Sequence, residues 1–331
     1  MTGQRRRIFA ADDRGMALLI TIMILSLLIV VTLEFGKTMR QHHLAAANLK
    51  GGEQLVAIAR SGVSIAKALL EQDGKDNSVD TFLDEWATLA QADLSGLFSQ
   101  GNLRLTVSDL SGRVQINSLV KSGAVGIGAR VILNRLLNSG EFAIKDESEA
   151  GAIVDSLVDW LDTDDQELDF GAENSYYRSL SPAYGSRNGP VQFIEELLLV
   201  KGVTPDLLFG TADKKALVQF ITVHGDDGKI NLNTAGLEVL RAMNPQLTGE
   251  LALKLDEFRR EKENLSLLDN PGWYTRVLPG DVVFDPAFLA IASRYFSIEA
   301  EGNFDTLKRR IVSVVRRENQ GKIIELTRKV E

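Results

Sequence analysis

The chain has 331 residues, 44% of them hydrophobic and 25% charged, which is enough to bury a real core and excludes global disorder. That length allows about two domains. The formal net charge of −8 argues against a general nucleic-acid binder, which would present a basic face. Cysteine is absent, so disulfides, thiolate metal sites and Cys nucleophiles are excluded. Only His42, His43 and His224 exist, and no G-x-S-x-G elbow is present, so neither a multi-His zinc site nor a Ser-His-Asp triad is expected.

Residues 16–33 form an 18-residue run without charge, Pro or Gly, close to the roughly 20 apolar residues that cross a bilayer core. Arg5, Arg6, Arg7 and Arg14 precede it, against Asp12 and Asp13, and basic residues hold that end in the cytoplasm. The run is longer than a signal-peptide core, and Glu34-Phe35-Gly36-Lys37 follows it in place of a small-residue cleavage box. Apolar residues continue at helical spacing through Leu55, Ile58, Val63, Ala66 and Leu70, which predicts one long helix from about Met16 to about Glu71. The alternative is a plain signal anchor on a soluble domain.

The junction Arg14-Gly15-Met16 resembles a type IV prepilin leader, which prepilin peptidase cuts after the glycine. The resemblance implies processing at Gly15, with Met16 as the N-methylated first residue. In that family the fifth mature residue is usually Glu; here it is Ile20. A lone carboxylate in lipid is costly unless paired, and a subunit with no neighbour above it has no use for one. Lack of that Glu is typical of the K-type minor pseudopilin of type II secretion systems.

Farther along, Asp73 to Ser78 is a polar linker, and residues 79–98 predict a short helix carrying Phe82, Trp86 and Leu89. Leu103, Leu105 and Val107 alternate with polar residues as a strand, and Ser111-Gly112 turns it into a hairpin partner at Val114 to Ile116. Helices are predicted at 125–138, 148–161, 191–200, 212–222, 235–243, 248–262 and 286–292, with caps at Thr234 and Asp285-Pro286. The C-terminus returns to strands at 296–300, 311–316 and 323–326, with turns at Glu301-Gly302-Asn303 and Asn319-Gln320-Gly321. Lys308, Arg309, Arg310, Arg316 and Arg317 read as a solvated sheet face.

Both strand sets in one antiparallel sheet against the long helix, with a helical block inserted between them, give an α+β fold. That arrangement is similar to a type IV pilin-like subunit carrying the large α-domain of the K type. The implied segments are a leader at 1–15, a transmembrane helix at 16–36, pilin helix and first strands at 37–117, the inserted α-domain at 118–292 and final strands at 293–331.

The segment 112–119 echoes 228–235. The second copy, and Phe193 to Val203, resemble pieces of helix-hairpin-helix units, which also occur in the K type. Such units often bind DNA phosphates through a G-x-G turn. Neither turn here, Lys201 to Pro205 or Asn244 to Thr248, has one. Residues 141–228 hold 18 Asp/Glu against 6 Lys/Arg, which would repel a phosphate backbone. Scaffold packing is therefore expected and no nucleic acid; the alternative is a membrane-anchored DNA-binding protein of the competence type.

The densest carboxylate cluster is Asp159, Asp162, Asp164, Asp165, Asp169 and Glu173. Asp162, Asp164, Gln166 and Glu173 fall at places 1, 3, 5 and 12 of an EF-hand frame, but Glu167 stands where that loop needs Gly. An irregular Ca²⁺ loop is the reading, with Asp159, Asp162, Asp164 and Glu173 as ligands and Asp165 and Asp169 behind them; a solvated acidic loop is the alternative. The resemblance also implies calcium in the α-domain. His224-Gly225-Asp226-Asp227-Gly228 reads as a turn, and no catalytic set is complete.

The resemblance further implies a structural, non-enzymatic subunit at the pseudopilus tip that initiates assembly. Its expected partners are the I- and J-type minor pseudopilins, other pseudopilins, the inner-membrane assembly platform, prepilin peptidase and the membrane. The expected location is a bacterial inner membrane, single-pass, with the N-terminus cytoplasmic and the C-terminal domain periplasmic.

Overall fold

The computed structural model describes residues 13–92, 94 and 96–331; Arg5, Arg6, Arg7 and Asp12 lie outside the described residues. Helix α1 (Asp13–Asp76) runs without a break through the sequence predicted to be helical. The chain divides into two compact units, one ending at Leu55 and one beginning at Val56.

The first unit is the apolar part of α1. Its most apolar 18-residue window has a mean hydropathy of 2.9, and none of that window is buried. Every polar hydroxyl in the run is satisfied inside the helix: Thr21 donates to Leu18 O, Ser26 to Met23 O and Thr32 to Leu28 O. That is what a helix needs where no water is available. The segment is compatible with a single-pass membrane anchor.

In the second unit, residues 56–76 of α1 lie on a four-stranded antiparallel sheet of order β1-β6-β7-β8. These strands are β1 (Asn102–Asp109), β6 (Tyr295–Phe304), β7 (Leu307–Arg317) and β8 (Ile323–Val330). Strand alternation puts Leu103, Leu105, Phe296, Ile298, Ile311 and Val315 on the buried face. Ile58, Val63, Ala66 and Leu70 of α1 are buried as well. The approach is close: a Cβ on Gly62 would come within 2.7 Å of Leu103 Cδ1 and 3.1 Å of Ala300 Cβ.

Between β1 and β6 in sequence lies the helical block. It holds β2 (Val114–Gln115), α3 (Ala124–Leu137), α4 (Glu147–Leu161), α5 (Asn174–Arg178) and α6 (Pro205–Phe209). Then come β3 (Ile221–Thr222), β4 (Ile230–Asn231), α7 (Leu237–Met243), α8 (Gly249–Arg260) and β5 (Leu289–Ala290). A four-residue helix, α2 (Glu85–Thr88), precedes β1. The fold is pilin-like α+β, as expected.

Several local expectations need correction. Val114 to Ile116 does not complete a hairpin with β1; β2 pairs in parallel with β3, which takes the chain into the helical block. The 79–98 helix shrinks to α2 and a 3-10 turn at Leu89–Gln91. Residues 191–200 hold a 3-10 turn in place of the helix, and 286–292 hold a 3-10 turn followed by β5. Residues 212–222 hold a 3-10 turn and β3; Thr211 Oγ1 accepts from Asp213 N and Lys214 N, a local turn that competes with helix. Thr234 caps nothing: α7 starts after Gly236, and the Thr234 hydroxyl donates to the Asp109 carboxylate. Glu301-Gly302-Asn303 stays paired within β6, and the turn falls at Asp305-Thr306, with Asp305 at φ 52°. Asp285 does cap as expected, accepting from Ala287 N at 2.9 Å.

The sequence echo has a structural counterpart. Its first copy starts β2, which pairs in parallel with β3; its second starts β4, which pairs in parallel with β5. In each copy an asparagine follows the strand and its amide ties distant loops. Asn117 Nδ2 donates to Val191 O and Val223 O, and Asn233 Oδ1 accepts from Trp273 Nε1.

Candidate metal centre

The acidic stretch sits between α4 and α5. Helix α4 is started by Asp146, whose carboxylate accepts from Glu149 N, while Glu149 reaches back to Lys145 N. Its apolar face carries Ile153, Leu157 and Trp160 into the core, and its last turn places Asp159 fully buried. The Trp160 ring packs edge-on against Tyr177 at 4.9 Å, which holds the ends of α4 and α5 together.

Asp162, at the C-terminal boundary of α4, turns the chain out, and Glu173 opens α5. The loop between folds back so that one carboxylate oxygen each of Asp162, Asp164 and Glu173 lies within 4.8 Å of the others. Of the expected ligands these three are brought together. Asp159 lies beneath the loop and accepts from Leu168 N at 3.2 and 3.3 Å. Asp165 Oδ1 accepts from Asn174 Nδ2 at 2.6 Å and Asn188 Nδ2 at 3.3 Å. Asp169 is exposed. Gly15 and Met16, the expected processing residues, lie in the first turns of α1 and are exposed.

The donor set fits a hard cation. Among the described residues, three side-chain oxygens near this loop are buried without a hydrogen-bond partner: Asp162 Oδ1, Glu173 Oε1 and Asn188 Oδ1. An orphaned buried acceptor is expensive, and oxygen ligands in loose geometry are what Ca²⁺ takes. Burial pushes the Glu173 carboxyl up to about 7, against bonds from Ser186 Oγ and Asn174 N. Burial, with the Asp164 and Asp159 charges added, pushes Asp162 up to about 6. Carboxyls so placed resist ionising until a cation joins them.

Asn188 is the member that sequence reasoning missed. It stands far beyond the twelve-place frame, and its Nδ2 donates to Asp164 O at 3.1 Å. A left-handed backbone at φ 48° aims it there, and an Asn tolerates that conformation. The only trace in sequence is a polar turn, Ser186-Arg187-Asn188-Gly189.

Gly171 is needed by this loop. A Cβ there would stand 1.8 Å from Asp159 Oδ2, a buried atom with little room to move. Gly171→Ala is expected to destabilise by about 1–3 kcal/mol, an overpacking cost. A urea midpoint unchanged from the parent would show that Asp159 can swing away.

Residues 112–213 match the family model described as type II secretion system, protein K. A type II secretion system protein K of Pseudomonas aeruginosa is 28% identical over 96% of this chain and 92% of its own length. One from Aeromonas hydrophila is 26% identical over 95% and 96%. The chain is thus similar to type II secretion system protein K along nearly its whole length. That family is a structural part of the secretion apparatus, a minor pseudopilin. The fold agrees: a crystal structure of the GspK-GspI-GspJ complex from enterotoxigenic Escherichia coli matches with a TM-score of 0.66 and 17% identity, over 87% of this chain and 99% of that one.

Proposed function

We propose that this chain is a type II secretion protein K that caps a pseudopilus and initiates its assembly, with Ca²⁺ holding its α-domain together. The observation that carries the tip position is Ile20 in an otherwise pilin-like N-terminus. A subunit inside the filament uses a carboxylate there to pair with the neighbouring amine; an isoleucine suits a subunit with nothing above it. The large block inserted between β1 and β6 supports the same reading, since it is far bulkier than a sheet hairpin.

The basic leader orients α1 with its N-terminus in the cytoplasm of a bacterial inner-membrane protein and the second unit in the periplasm. The partners are the I- and J-type minor pseudopilins, by analogy with the solved complex, whose GspK assembles with GspI and GspJ. Other pseudopilins, the assembly platform and prepilin peptidase complete the set. The protein acts by packing, not by catalysis. Asp162, Asp164, Glu173 and the Asn188 oxygen would hold the calcium, with Asp165 ordering Asn188 and Asp159 ordering the loop beneath. Bound there, the ion would neutralise carboxylates that otherwise repel.

One preparation tests the reading. The chain is co-expressed with a prepilin peptidase and the I- and J-type subunits, extracted in detergent and weighed by intact mass. Loss of residues 1–15, a methyl group on Met16 and co-purification of all three subunits are expected. An uncut chain that purifies alone would make it a plain signal anchor.

A further inference from the structure

The face of the sheet turned away from α1 is not solvated throughout. A cleft of about 590 Å³ lies between it and the helical block, within the second unit. Its floor crosses all four strands, through Ser108, Ser297, Val312, Val314 and Thr327. Its wall is the segment containing β3, with Val218 and Val223, and its rim carries the exposed Phe193.

The charges around this cleft are settled, with one exception. Arg328 pairs with Glu325, Glu299 with Arg310, and Lys329 with Glu331 and Glu195. Arg113 has no carboxylate within 4 Å among the described residues. Its Nη1 donates to Val218 O at 2.9 Å. Asp109 attracts it, but the Asp109 oxygens are taken by Ser111 N, Ser293 Oγ and Thr234 Oγ1. His224, which also lines the cleft, is held towards its neutral form by burial. A half-buried guanidinium with no carboxylate in contact, on an apolar wall, is a place for a carboxylate.

The shape and the lining say what carries that carboxylate. Four strands about 4.8 Å apart give a floor roughly 14 Å long, the reach of four or five extended residues. Ser108, Thr222, Ser297 and Thr327 are spaced among the valines. A hydrocarbon chain would take water from those hydroxyls and return nothing, whereas a peptide backbone replaces the lost hydrogen bonds.

We propose that this cleft binds an extended segment of a second protein in which one acidic side chain, flanked by apolar ones, pairs with Arg113. The site is separate from the acidic loop and does not depend on where the chain sits in an assembly.

The test uses the full chain in lipid nanodiscs, panned against random nine-residue peptides displayed with fused C-termini. Enriched peptides are made with amidated C-termini and measured by fluorescence anisotropy. They are expected to carry one Asp or Glu among β-branched or aromatic residues. Replacing that acid by its amide, or Arg113→Gln, is expected to weaken binding at least roughly ten-fold. Val314→Trp, which fills the floor without touching Arg113, does the same and decides the matter if Arg113→Gln fails to fold. Enrichment of peptides without a carboxylate, no enrichment at all, or binding indifferent to Val314→Trp would overturn the proposal. Displacement of the peptides by decanoate at equal affinity would reassign the cleft to small apolar anions.

Discussion

Saturating Ca²⁺ is expected to raise the melting temperature of the chain by roughly 5–10 °C, and Asp162→Ala or Glu173→Ala to remove the rise. The size follows from linkage: at a hundred-fold excess over Kd a ligand that binds only the folded state adds about 2.7 kcal/mol, and each kcal/mol moves a domain of this size by about 2–4 °C. Scanning calorimetry with and without chelator reads it. The pH dependence gives a second, independent mark. Glu173 is pushed up to about 7 and Asp162 to about 6, both above their unfolded values. Between pH 4 and 7 the folded, ion-free chain therefore holds more protons than the unfolded one, so its stability falls as pH rises through that window. With Ca²⁺ bound the carboxylates are ionised and the fall disappears, while affinity for the ion increases with pH because protons must leave first. Asn188→Ala is expected to weaken binding, and to loosen the ion-free loop as well, because the Nδ2 bonds to Asp164 O and Asp165 Oδ1 go with the orphaned oxygen. A melting temperature indifferent to calcium at pH 7.5 would leave the loop as a solvated acidic turn.

What the sequence made legible was whatever repeats with a fixed period over many residues. Helix α1, β1, β6, β7, and helices α3, α4 and α8 lie close to their predicted ranges, because apolar spacing is dictated by which face is buried. The misread segments, 191–200, 212–222 and 286–292, are short, and in each a side chain or a distant strand outweighs local spacing. The turn at Val114 looked like a hairpin because its partner β3 lies more than a hundred residues away. The acidic loop was legible for the same reason as the helices: Asp162, Asp164 and Glu173 are local. Asn188 was not, since nothing in a polar turn announces that a loop will fold back onto it. Arg317 was misread outright. A strand-end arginine usually points to water, and only the assembled fold shows acceptors around it.

Arg317→Met is expected to cost about 3–5 kcal/mol, the loss seen when one partner of a buried ion pair is removed. The guanidinium donates to Asp73 Oδ2 at 2.7 Å, to both Asp80 oxygens at 2.5 and 2.6 Å, and to Ser293 O at 3.1 Å, with the Phe296 ring 5.0 Å below it. Asp73, Asp80 and Asp84 group as a metal cluster would, but the arginine already supplies the cation. The network continues beyond it. Asp80 accepts from Ser293 N, the Ser293 hydroxyl donates to Asp109 at the end of β1, and Thr234 of the helical block donates to the same carboxylate. One arginine thus ties the end of α1 to β7 and, through Asp80 and Ser293, to the root of the inserted block. Burial raises the Asp80 carboxyl, and the Arg317 charge opposes it. Without the guanidinium the rise is opposed mainly by the bond from Ser293 N, so the Arg317→Met chain loses stability as pH climbs through the raised value and recovers part of it in acid. Asp80→Asn added to Arg317→Met removes the stranded charge and is expected to restore part of the loss at pH 8. Urea midpoints at pH 5 and pH 8 for the parent, the single and the double variant separate these contributions. A single variant as stable as the parent at pH 8 would mean that water reaches Asp80 and that the inserted block is held to the sheet by apolar packing alone.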